Sequence, residues 1–274
     1  MNRRVRLGTS CSNGRPNMKD DLPRGRPITV VVEQHTNPVF GSSSAVQPEG
    51  DLVRQAHADP IVVAAKHARL REHHVAPLVA LADRIAAAEG LPQGAVPYPD
   101  PEFGGIHARA LFLLDSPGPR AKLETGGSGL LSIDNDDPSA ARAHTAYRTF
   151  RIDRGLCLHW NVCPFPTAKD QSSTSERTRA ARYTRELLDL LPRLELVTLL
   201  GRAAEDGWRR ADIRQNHLVV LDGPHPSNRG INAVAGNAER FQSTMRAVAV
   251  HLAQPPRLSG NRPAAHSQDA ADGR

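Results

Sequence analysis

The chain has 274 residues, 39% of them hydrophobic but only 4% aromatic, with 22 Pro, 21 Gly, three Cys and a formal charge of +6. That length allows one domain with a full core, or two small ones. Three scattered cysteines exclude a disulfide framework, and no apolar run is long enough to span a bilayer or to serve as a secretory signal, so a cytoplasmic protein is expected. The charge is local: residues 1–27 hold Arg3, Arg4, Arg6, Arg15, Lys19, Arg24 and Arg26 against Asp20 and Asp21. The rest of the chain is nearly neutral, so bulk charge does not identify a partner.

Residues 1–27 are polar and aperiodic and read as a disordered basic arm. "ITVVVEQH" (28–35) has the composition of a short strand, and "GSSSAVQPEG" (41–50) that of a linker. Arm and linker together occupy 1–55, a folded domain 56–253, and a second disordered tail 254–274. Within the domain, 60–89 is helical by pattern. "ARALFLLD" (108–115) is the first of four near-continuous apolar runs, the signature of parallel strands buried on both faces. Asp137-Pro138 supplies an N-cap and a first-turn proline, opening a helix over 138–150. "LCLHWNV" (156–162) is the second strand; 175–191 follows as a helix with Tyr183, Leu187 and Leu191 on one stripe. "LELVTLL" (194–200) and "NHLVVLD" (216–222) complete the strands, and 237–253 is a last helix. This alternation predicts an α/β fold: a single-domain three-layer sandwich around a central, mostly parallel four-stranded sheet.

Ligands of such sheets sit beyond the carboxyl ends of the strands. Three strands run there into "DSPGPRA", "NVCPFP" and "DGPHPSNRG", which predicts a composite site at one rim. In chain order, "LLDSPGP" (113–119), "WNVCPFP" (160–166) and "HPSNRG" (225–230) resemble the three signature segments of the uracil-DNA glycosylase superfamily. The resemblance covers roughly residues 60–250.

The resemblance implies a role for each segment. Asp115 matches the carboxylate that polarises the attacking water, although family 4-like members carry Gly-Glu-Ala-Pro-Gly where this chain has Leu114 to Gly118. The shorter acid retracts by about an ångström, a displacement that can cost on the order of a hundredfold in rate. Ser116 joins the substrate pocket, and Pro117 and Gly118 approach DNA. Asn161 matches the asparagine that reads the flipped base, its carboxamide offering an acceptor and two donors in one plane. His225 matches the histidine that faces uracil O2 as negative charge develops there. Leu130 takes the place of a phenylalanine that stacks on the base in many relatives. Ser227, Asn228, Arg229 and Ile231 fall in the segment that grips the phosphodiester and enters the duplex, with Ile231 or the stem of Arg229 as the wedge.

No metal and no cofactor is implied: members with an iron–sulfur cluster need four cysteines. The expected partner is DNA containing uracil or another deaminated base, bound by a monomer away from any membrane. Two other functions compete. One is a weak or inactive member that binds damaged DNA or a base without turnover, as the Asp115 and Leu130 departures suggest. The other is a hydrolase built on Ser227, His225 and Asp115, disfavoured because the strand–turn–helix elbow of such enzymes is missing.

Overall fold

Four apolar runs drawn into one core can satisfy their backbones only by pairing with one another. A computed structural model describes residues 55–256. In chain order its elements are α1 (Pro60–Ala68), α2 (Ala76–Ala88), β1 (Tyr98–Pro99), β2 (Ala110–Leu114), β3 (Leu130–Leu131), α3 (Pro138–Phe150), β4 (Cys157–Asn161), α4 (Thr174–Asp189), β5 (Leu196–Leu200), α5 (Arg202–Ala211), β6 (Val219–Gly223), α6 (Asn228–Asn232) and α7 (Asn237–Leu252). The basic arm, the "ITVVVEQH" strand, the linker and the tail lie outside the described residues, apart from the tail's first three.

The main sheet has the order β4-β2-β5-β6 with every pair parallel, and β1 pairs β3 in a separate two-stranded parallel sheet. Alternation along the strands splits the core in two. Leu111, Leu113, Leu158, Trp160, Val197 and Leu199 face one side, where α2, α4 and α5 contribute Leu78, Leu81, Tyr183, Leu187 and Ala204. Ala110, Phe112, Cys157 and Leu196 face the other, against Tyr147 of α3 and Phe241, Met245 and Val248 of α7. Helices on both faces make three layers.

Two expectations need correction. The helix expected over 60–89 is broken at residues 69–75, and α2 restarts with Pro77 in its first turn. A proline in mid-helix would cost a backbone hydrogen bond and clash with the preceding turn; in the first turn it costs neither. The strand at 216–222 is not buried on both faces. As the edge strand β6 it alternates between half-buried and exposed residues, with Val220 44% exposed, because Val219 and Leu221 pack only on the α7 side. Helix α5 was not anticipated. Helix α3 begins as expected: Asp137 Oδ1 accepts from the amides of Ser139 and Ala140.

Candidate active site at the carboxyl rim of the sheet

Parallel strands place all their carboxyl ends at one rim, and a cleft of about 1310 Å³ opens there. Asp115, Ser116, Pro117 and Gly118 after β2, Asn161 at the end of β4, Gly201 after β5, and His225, Ser227 and Arg229 after β6 all line it. Segments spread over a hundred residues of chain, from Asp115 to His225, thus meet at one site.

Asn161 is 5% exposed, and its Oδ1 is buried with no hydrogen-bond partner among the described residues. An orphaned buried acceptor costs about 1–3 kcal/mol unless a ligand satisfies it. His225 is constrained on every side. Its Nδ1 accepts from the Ser227 amide at 3.1 Å, so a neutral ring must carry its proton on Nε2. Burial lowers its pKa below the ordinary histidine value, against the opposing pull of Asp115 and Asp137. The result is a neutral imidazole presenting Nε2–H. Two glycines allow the close fit: a Cβ on Gly201, whose φ is +97°, would lie 3.0 Å from His225 Cβ, and one on Gly230 would lie 2.3 Å from the His225 carbonyl oxygen. Arg142 of α3 clamps the same loop, donating to the Pro226 carbonyl and, at 3.0 Å, to Asn228 Oδ1.

Asp115 is held from outside its own segment. The Ser172 amide lies 3.3 Å from each carboxylate oxygen, and the Ser172 hydroxyl donates to Oδ1. Ser116 Oγ accepts from Thr167 Oγ1 at 3.5 Å, a long contact. Sequence reasoning missed Ser172, Arg142 and Gly201; the only available signal was the glycine directly after an apolar run.

Two site expectations are corrected. Leu130 is fully buried within the core and does not line the cleft; its neighbour Leu131 does, because successive strand residues point to opposite sides. Ile231 is 9% exposed and packs with Phe241 and Met245, since α6 turns its apolar residue inward, so it is not presented as a wedge. The apolar side chain at the mouth is Val234, 56% exposed. Arg120, Arg202 and Arg229 line the cleft exposed and form no ion pair among the described residues. Arg240 also lines it, 3.5 Å from Asp222. Ser227 Oγ caps α6 by accepting from the Gly230 amide and makes no bond to His225, so a Ser–His nucleophile pair is not formed.

The two described cysteines lie in the core rather than in the cleft lining, and they are poor metal ligands. Burial pushes the Cys157 and Cys163 thiols up to about 12, which keeps them protonated. His57, Asp100 and Asp134 bring ligand atoms within 4.8 Å of one another. Their cation is internal: Lys66 Nζ lies 2.7 Å from a carboxylate oxygen of both Asp100 and Asp134, and Arg154 also pairs with Asp134. This buried network braces the loop that carries Asn135 to Asp137 along the cleft wall. No helix among the described residues is long and apolar enough to cross a membrane. No protein-family model and no curated protein matches this chain.

Proposed function

We propose that this chain is a monofunctional DNA glycosylase that flips uracil, or a related deaminated base, out of DNA and hydrolyses its N-glycosidic bond in cytoplasmic base-excision repair. The observation that carries this reading is the convergence in one cleft of Asn161, with its unpartnered acceptor, the Nε2–H of neutral His225, and the Asp115 carboxylate. Extrusion is required because the reacting carbon is inaccessible inside a stacked duplex.

In this reading Asn161 Oδ1 accepts from uracil N3–H and Nδ2 donates to O4. As the C1′–N bond breaks, its electron pair moves onto the base, and His225 Nε2–H donates to the developing charge at O2. Water then bonds to C1′ and passes a proton to Asp115. The base anion takes up a proton from solvent and Asp115 returns its proton to solvent, leaving free base and an abasic site. Arg120, Arg202 and Arg229, without an ion pair among the described residues, would contact phosphates, and Val234 with the Arg229 stem would fill the position the base vacates.

The test is purified protein against oligonucleotides carrying uracil, hypoxanthine or xanthine, followed by alkaline cleavage. Wild type should excise uracil, and Asp115→Ala should lose roughly a hundredfold or more in turnover while retaining affinity for uracil-containing DNA. Binding without excision at stoichiometric enzyme would overturn turnover in favour of a damage-binding protein.

A further inference from the structure

The Asp115 carboxylate is gripped by a residue that neither its strand nor the other two rim segments supply. Ser172 lies in the loop between β4 and α4, 57 positions from Asp115, and is 9% exposed. A serine hydroxyl has one proton to give. Arg177 Nη1, on the first turn of α4, donates to Ser172 Oγ at 3.0 Å and also to the Ser172 carbonyl. A guanidinium only donates, so the hydroxyl accepts from Arg177 and its single proton is committed to Asp115 Oδ1. Arg177 is fixed in turn by Asp206 of α5, whose Oδ2 accepts from Nε at 2.7 Å. The chain of donors therefore has one direction, from the Arg177 guanidinium through Ser172 to the carboxylate.

We infer that Ser172 is a positioning residue for the Asp115 carboxylate, with Arg177 setting the polarity of its hydroxyl. This rests on the role proposed above for Asp115. The bonding is asymmetric. Oδ1 takes the hydroxyl and shares the amide, whereas Oδ2, among the described residues, has only the 3.3 Å amide contact and keeps a lone pair for water. The clamp thus selects which oxygen meets the nucleophile and restricts rotation of a short side chain, which has less reach than the glutamate of family 4-like glycosylases. Displacement of a reacting group by an ångström is enough to cost about a hundredfold.

The experiment is a double-mutant cycle on uracil excision. Ser172→Ala should lower kcat by on the order of 10- to 100-fold with KM within about twofold, and Ser172→Thr, which keeps the hydroxyl, should restore most of it. The Ser172→Ala/Asp115→Ala double variant should be no slower than Asp115→Ala alone, because the serine acts only through that carboxylate. Wild-type kinetics in Ser172→Ala, or losses that multiply in the double variant, would overturn the inference. A readout independent of activity separates this from failure of the glycosylase reading. The Ser172 amide resonance should shift in Asp115→Asn but not in His225→Ala, and an unmoved resonance in Asp115→Asn overturns the clamp whatever the enzyme excises.

Discussion

Asn161 shows how much of the proposed specificity rests on one planar group. Its Oδ1 is buried without a hydrogen-bond partner among the described residues, which leaves an acceptor free for a ligand in the cleft. Asn161→Asp keeps size and shape but removes the donors assigned to uracil O4. A carboxyl there can accept from the exocyclic amine of cytosine, the logic by which acids read cytosine edges. Facing cytosine N3 also requires a proton on that carboxyl or shared with the base, and burial favours the protonated form. Asn161→Asp should therefore lose most uracil excision and gain weak cytosine excision, strongest at mildly acidic pH. Release of each base from matched oligonucleotides across a pH series measures this, and full retention of uracil excision would remove Asn161 from the base pocket.

Among the elements, the turn from β5 to α5 carries the most constrained backbone near the site. Gly201 caps α5 at φ +97°, and its amide donates to the Gly223 carbonyl at 2.8 Å, joining the β5 and β6 turns. Any side chain here must adopt a left-handed backbone and press on His225 Cβ, which strain and overpacking together make costly. Gly201→Ala is expected to destabilise the fold by about 1–3 kcal/mol in urea unfolding and to lower excision by more than its stability loss explains. Wild-type activity in a correspondingly destabilised Gly201→Ala would show that the imidazole direction does not depend on this turn. Helix α3 acts on the same loop from the opposite wall through Arg142, so His225 is held between two elements from different faces of the sheet.

The whole molecule stores several neutral histidines in its interior, and this sets its acid stability. Burial pushes the His159 pKa down to about 3, and lowers those of His57 and His225 as well. With folded values below unfolded ones, the unfolded chain binds more protons below about pH 6.5, so stability is complete above that pH and is lost as pH falls. His159 alone accounts for about 2 kcal/mol by pH 5. The carboxylate contribution lies lower: burial would raise Asp134, but hydrogen bonds from Arg154 and Lys66 and their charges bring it down to about 2, so its share is lost only between about pH 4 and 2. Wild-type melting temperature should drop between pH 7 and 5. His159→Gln, which keeps a hydrogen-bonding group for the Tyr147 hydroxyl, should drop less steeply; parallel slopes would refute the assignment.

The apolar runs, the Asp137-Pro138 helix start and the polar turns that follow three strands were legible in the sequence, because each is set by local rules of periodicity, capping and proline geometry. Those rules put Asp115, Asn161 and His225 at strand ends, and parallel pairing brings strand ends to one rim. Tertiary packing decided what local pattern cannot express. It put β6 at an edge with one face bare, and placed Leu131 rather than Leu130 on the cleft wall. It turned Ile231 into the core while leaving Val234 at the mouth. It also supplied Ser172 to Asp115 from 57 residues away and Arg142 to the His225 loop from 84. Contacts at such separations depend on how helices dock across the sheet, and no short window of sequence records that geometry.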